Sequence, residues 1–242
     1  RHPPLIDVDP RTVAAPRIEY LLSLGVHQIG PMVEVVPQFL DCNLDHLHTK
    51  VQILQVLGVR GIARWLSRNP IVLTLDIDTQ MKPAVHYLRS VRNLKVGQLV
   101  SSVPASYTFA DPEKTATKVR WFEETLGLED VGTTLSREPR LLTFSIEDNI
   151  QPKLDFFKAH GLSDAAPMVS RWPHVLCFSI ESALAPRLAY VLDEMGRSID
   201  DVAKFPQVLG YSLESIRRRH IFLKIHNRFD SHSLGRIFRS SE

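Results

Sequence analysis

The sequence predicts an all-α fold, a superhelical solenoid of about seven helical repeats of about 34 residues each. Three observations predict it. A proline recurs at a near-constant interval, apolar residues stand at fixed distances from it, and a helix-capping residue follows it six positions later.

The marker proline occurs at Pro3, Pro37, Pro70, Pro104, Pro139, Pro173 and Pro206, with intervals of 34, 33, 34, 35, 34 and 33 residues. Four positions before it, wherever that segment exists, stand Val33, Leu66, Val100, Leu135, Val169 and Val202. Three positions after it come Ile6, Leu40, Leu73, Tyr107, Leu142, Leu176 and Leu209, and five after it Val8, Cys42, Leu75, Phe109, Phe144, Phe178 and Tyr211. These are the predicted core positions.

Six positions after the proline stand Asp9, Asn43, Asp76, Ala110, Ser145, Ser179 and Ser212. All but Ala110 are side chains that accept hydrogen bonds from the free N–H groups of a helix start. At the exception, Asp111-Pro112 supplies a cap one residue later, with proline in the first helical position. A helical apolar pattern follows each start, as in Leu154 with Phe157 or Leu188 with Val191, and it often closes near a glycine: Gly25, Gly58, Gly127, Gly161 or Gly196. One unit is therefore a short helix, a proline-marked turn and a longer helix. Four of the longer helices carry a second proline, Pro16, Pro83, Pro152 or Pro186, thirteen residues after the first. Either the helix kinks there, or it begins there after one loose turn.

A helix pair this short cannot cover its own apolar face, so the units are expected to stack into one core with a long concave surface. The expected organisation is a single repeat domain over residues 1–242, with residues 213–242 as a basic C-terminal cap. The opening Arg1-His2-Pro3 falls inside a truncated repeat, so any N-terminal address label is expected to lie outside this sequence.

With 242 residues, of which 44% are hydrophobic, the chain has enough apolar surface for such a core. Its longest apolar stretches, such as Ile71 to Leu75, stop well short of the roughly 20 residues that a membrane-spanning helix needs, so no membrane partner is expected. Cys42 and Cys177 form no CxxC pair and stand near no histidine cluster at metal-ligand spacing; both are read as packing residues. His46 and His48, at i and i+2, do not share a helix face. No metal and no cofactor is expected. The sequence contains no P-loop, GxGxxG, HExxH or nucleophile-elbow pattern, and an enzyme is not expected. The formal charge of +2 is modest, but it is unevenly distributed. From Leu213 to Glu242, Arg217, Arg218, Arg219, Lys224, Arg228, Arg236 and Arg239 face Glu214, Asp230 and Glu242, a local net of +4.

The string Pro139-Arg140-Leu141-Leu142-Thr143-Phe144-Ser145-Ile146-Glu147, followed by Ile150-Gln151-Pro152-Lys153-Leu154-Asp155-Phe156-Phe157 and Gly161, resembles the repeat of the mitochondrial transcription termination factor (mTERF) family. Pro173 to Leu188 and Pro206 to Ile221 match it nearly as well, and the resemblance covers essentially the whole chain. It implies a left-handed superhelical array whose basic inner groove holds double-stranded organellar DNA, in mitochondria or chloroplasts. It further implies non-catalytic roles in terminating or regulating transcription, in RNA processing, or in recruiting an rRNA-modifying partner.

Two rows of cations repeat in register, as a polyanion lying along the array would require. The first, two positions before the marker proline, contains Arg68, Arg137, Arg171 and Lys204, interrupted by Val35 and Ser102. On a helix this position lies about 200° from the apolar residue at minus four and points away from the core. The second row, near the start of the longer helix, contains Arg17, Lys118, Lys153 and Arg187, with Lys50 one position early and Ala84 and His220 as departures. The register leaves open which row faces the groove, and solvated faces also carry Lys and Arg. Arg217, Arg218 and Arg219, extended by Lys224 and Arg228, form the densest patch, either an end clamp for nucleic acid or a solvated cap. Trp65, Trp121 and Trp172 fall within apolar patterns and are expected in the core. The expected protein is a monomer that binds double-stranded DNA. The alternatives are an RNA-binding splicing or rRNA-maturation factor, and a non-catalytic scaffold marked by a large exposed apolar patch.

Overall fold

The computed structural model describes residues 10–226, 229 and 232–239, and among these every regular element is helical. The first marker proline, with Ile6, Val8 and Asp9, lies outside the described residues. The chain divides into two compact units, residues 1–120 and 121–242.

Within each unit the same three-part pattern recurs. The short helices are Ile29–Val35, Ile62–Arg68 and Val96–Ser102 in the first unit, and Val131–Arg137, Ala166–Arg171 and Ile199–Lys204 in the second. The marker proline then opens a 3-10 turn at Pro37–Asp41, Pro70–Thr74, Pro139–Thr143, Pro173–Cys177 and Pro206–Gly210. Proline suits this first position, since its fixed φ is helical and the missing N–H would have had no partner. In the Pro104 repeat the proline instead precedes a short α-helical turn, Ala105–Thr108.

Caps lie where the sequence places them. Asn43, Asp76, Ser145, Ser179 and Ser212 each accept from backbone N–H groups two or three residues ahead. Asp111 accepts from the Lys114 N–H at 2.9 Å and replaces the cap missing at Ala110. At the other end, Gly161 has φ +94°, the left-handed conformation that closes a helix, and Asn93, the one non-glycine among the described residues with positive φ, takes the equivalent place in the Pro70 repeat at φ 61°.

Of the two alternatives for the second proline, the structure shows the α-helix starting there after one loose turn. The loose turn is a wide π-type turn, at Pro10–Ala14, Ile77–Met81, Ile146–Ile150 and Ile180–Leu184, and the α-helix follows with Pro16, Pro83, Pro152 or Pro186 as its second residue. In the last three, the final N–H of the wide turn reaches back five residues, from Met81 to Asp76, Ile150 to Ser145 and Leu184 to Ser179. A proline ring clashes with the carbonyl four residues earlier, and a wider turn relieves that clash. Where Lys50 and Arg219 stand in place of the second proline, the helices Leu44–Val56 and Leu213–Ile225 start without a wide turn.

Repeats meet through apolar side chains and a few specific bonds. Leu66, Val100, Leu135, Val169 and Val202, four before the marker proline, are buried as expected, as are Leu73, Leu142, Leu176 and Leu209, three after it. Val33 and Leu40 are only half-buried and Tyr107 is exposed; in the Pro37 repeat Met32 and Phe39 take the interior positions. The position two after the proline is a core site that the spacing did not single out, with Phe39, Val72, Leu141, Val175 and Val208 all fully buried. Gly97 lets its short helix approach the preceding repeat, because a Cβ there would lie 2.3 Å from the Leu57 carbonyl oxygen. Trp65 is buried and donates from Nε1 to the Val100 carbonyl at 2.9 Å, whereas Trp121 and Trp172 are half-buried.

Candidate nucleic-acid interface

The two basic rows have different fates. The second turns inward. Lys50 is buried and its ammonium donates to the Leu73 carbonyl at 2.6 Å; Lys153 is buried and donates to the Leu176 carbonyl and to Asn149 Oδ1, both at 2.6 Å. Arg17 donates from Nε to the Cys42 carbonyl at 2.8 Å and also bonds the Val13 carbonyl, while Arg187 donates to the Leu209 carbonyl at 2.7 Å. In every case the cation starts on the longer helix of one repeat and reaches the end of the 3-10 turn of the next, where carbonyl oxygens lack helical partners. Burial pulls the Lys50 and Lys153 ammonium groups and the Arg187 guanidinium below their ordinary values.

Lys50 and Lys153, expected at the interface, are thus buried in this structure and tie one repeat to the next, and Arg17 and Arg187 are engaged in the same way. Lys118 is half-buried. His220, the departure from this row, is buried and hydrogen-bonded to the Tyr190 hydroxyl at 2.9 Å.

The residue five after the marker proline completes the tie. Phe144, Phe178 and Tyr211, read as core, are half-buried. Lys153 lies 5.3 Å from the Phe144 ring centroid, Arg187 5.3 Å from Phe178 and Arg219 4.9 Å from Tyr211. Each aromatic is a plate beneath a cation, so the two positions form one device.

The first row stays on the surface. Arg68, Arg137, Arg171 and Lys204 are all exposed at the C-terminal ends of their short helices. A cation there complements the negative end of the helix dipole. In the second unit the row is also aligned by bonds between repeats. Arg137 donates to the Ser170 carbonyl at 3.2 Å and Arg171 to the Ala203 carbonyl at 2.8 Å, each contact falling one residue before the next cation of the row. Arg137 and Arg171 share a cleft of about 520 Å³ with Glu129 and Asp164, and Lys204 shares one of about 640 Å³ with Asp201 and Arg236. Carboxylates thus flank the row and temper its field. Arg68 holds the same register in the first unit.

The C-terminal cluster divides. Arg219 donates to the Phe238 carbonyl at 3.1 Å and lies over Tyr211 and Phe238, so it fastens the terminal helix Leu234–Arg239. Arg218 pairs with Glu214 at 2.8 Å, and Arg217 lies 5.4 Å from the Tyr190 ring centroid. Arg217, Arg218 and Lys224 are exposed, while Arg228 lies outside the described residues. On the same helix, Ile221, Phe222 and Ile225 are exposed apolar residues, the kind of feature that a scaffold requires.

One constellation in the second unit was missed by spacing alone. Glu138 is buried, accepts from Arg140 Nε at 2.8 Å and Nη2 at 3.2 Å, and lies 2.5 Å from His174 Nδ1. Burial works to raise its carboxyl, but Arg140 and His174 hold it down at about 2. Beside it, burial and then the Glu138 carboxylate push the Cys177 thiol up to about 12. The only sequence signal was a carboxylate just before Pro139, where other repeats place Val36, Asn69, Val103, Trp172 and Phe205.

No helix among the described residues is long and apolar enough to cross a membrane. The chain is 22% identical over 244 residues to the chloroplastic transcription termination factor MTERF8 of Arabidopsis thaliana, an alignment covering 98% of this chain and 49% of that protein. The chain thus spans about half the length of the curated relative it matches. The mTERF family model matches residues 1–242 from end to end, and with the repeated short helix, proline turn and capped longer helix this places the chain in the mTERF family.

Proposed function

We propose that the chain binds double-stranded DNA in a mitochondrion or chloroplast and acts there, without catalysis, to terminate or regulate transcription. The observation that carries this reading is the exposed row Arg137, Arg171 and Lys204, one cation at the same position of each of three successive repeats. Evenly spaced cations neutralise the evenly spaced phosphates of a duplex, and such contacts supply affinity and register while carrying no sequence information. Arg217, Arg218 and Lys224 near the C-terminus add exposed cations in the same unit. Membership in the mTERF family supports the reading, as does the similarity to a chloroplastic transcription termination factor of Arabidopsis thaliana.

Gel-shift competition between duplex DNA and single-stranded RNA of the same sequence, at several stated salt concentrations, tests it. The duplex is expected to compete better, with affinity falling steeply as salt rises. Preference for the single strand would transfer the same surface to RNA processing. A second reading, recruitment of a partner protein, draws on the exposed Ile221, Phe222 and Ile225, and retention of neither nucleic acid would favour it.

A further inference from the structure

We propose that Glu138, His174 and Cys177 form a binding site for a zinc-like transition-metal ion that staples the Pro139 repeat to the Pro173 repeat. Among the described residues this is the one place where three such groups converge, with one donor atom from each lying within 4.8 Å of the others.

The convergence follows from local structure. His174 and Cys177 are three residues apart on the 3-10 turn Pro173–Cys177, and a helix with three residues per turn stacks such a pair on one side. Glu138, just before the 3-10 turn Pro139–Thr143, approaches from the preceding repeat. No other repeat has this set: one position after the marker proline stand Gln38, Ile71, Ala105, Arg140 and Gln207, and four after it Asp41, Thr74, Thr108, Thr143 and Gly210. The site belongs to a single joint.

The donor chemistry selects the ion. A thiolate, an imidazole and one carboxylate suit zinc and its neighbours and disfavour magnesium and calcium, which prefer oxygen donors throughout. Three protein donors leave a fourth tetrahedral position, and half-exposed His174 and Cys177 give solvent access to it. Metal–ligand bonds of about 2.0–2.3 Å put tetrahedral donors roughly 3.3–3.8 Å apart. Small side-chain rotations reach that arrangement: the Glu138 to His174 separation of 2.5 Å opens by about 1 Å while the thiol closes in.

The positive charge beside Glu138 in this structure is Arg140, whose side chain is 51% exposed. As the ion binds, Arg140 moves to solvent, His174 coordinates through Nδ1, and the Cys177 thiol releases its proton to water. The ion then holds the buried carboxylate and bridges the two repeats.

Titration of the purified, tag-free chain with Co2+, followed by absorption, tests the proposal. A thiolate-to-cobalt charge-transfer band that saturates at one equivalent and is bleached by Zn2+ is expected. Cys177→Ser should abolish the band, Glu138→Gln and His174→Ala should each weaken binding at least tenfold, and Cys42→Ser should leave it intact. In parallel, Zn2+ should raise the melting temperature of the wild type relative to chelator and have no such effect on Cys177→Ser, whose own melting transition reports whether it is folded. Absence of the band in the wild type at tenfold Co2+, or its survival in Cys177→Ser, would overturn the proposal and leave a salt-bridge network alone.

Discussion

Replacing Lys153 by Met keeps the unbranched stem and removes the ammonium, so it separates a tie between repeats from a phosphate contact. The group is 6% exposed, donates at 2.6 Å to both the Leu176 carbonyl and Asn149, and lies 5.3 Å from the Phe144 ring. Depriving a buried acceptor of its donor costs about 1–3 kcal/mol. The lost cation–π contact adds roughly 0.5–1 kcal/mol. Relief from burying a charge acts in the opposite direction, leaving a net loss on the order of 1–3 kcal/mol. At roughly 2–4 °C per kcal/mol for a chain of this size, the melting temperature should fall by about 2–12 °C. The assay pairs a thermal melt with duplex binding at several salt concentrations. Lower stability with an unchanged salt dependence is expected. An unchanged melting temperature, with the log–log salt slope reduced by about 1, would refute the tie and return Lys153 to the interface.

Leu142→Ala should cost about 2–5 kcal/mol because the side chain is fully enclosed. Phe144→Ala should cost less, roughly 1–2 kcal/mol, because the ring is half-buried beneath Lys153; equal losses in urea melts would contradict the distinction. His220 supplies a pH dependence. Burial first, then the positive charge of Lys224, lowers it from its ordinary 6.5, with Arg197 adding to the effect and Glu194 opposing it. Because the folded value lies below the unfolded one, the contribution of His220 is complete above pH 6.5 and is lost as pH falls through the folded value. Wild type should therefore lose more melting temperature between pH 7.5 and pH 5.5 than His220→Gln does, and parallel pH profiles would exclude His220 as the source.

Much of the fold was legible because it rests on local chemistry. A capping side chain, a proline at a turn and an apolar residue at fixed spacing each act within a few residues of themselves, so Asp111 could be read as the substitute for a missing cap. The wide turn before Pro83, Pro152 and Pro186 was legible only as one of two alternatives, because the same proline permits a kink or a start after a loose turn, and only the position of the preceding carbonyl decides. The candidate interface was half legible. Spacing determines register along the chain but not radial direction, so Arg137 and Lys153 looked alike, although one ends a short helix facing solvent and the other points into the joint between repeats. The aromatic plates carried a signal that was not used: Phe144, Phe178 and Tyr211 recur eight or nine residues before Lys153, Arg187 and Arg219. Glu138, His174 and Cys177 stayed hidden because one ligand comes from a different repeat, 36 residues before His174.

The central claim is that the exposed row at the ends of the short helices contacts phosphates. Its most direct test is the salt dependence of duplex binding by a chain in which Arg137, Arg171 and Lys204 are all replaced by Ala. With each lost phosphate contact worth about 0.9 in the log–log slope, the slope should become shallower by about 3, while the melting temperature stays within a few degrees of wild type. A slope identical to wild type would contradict the account.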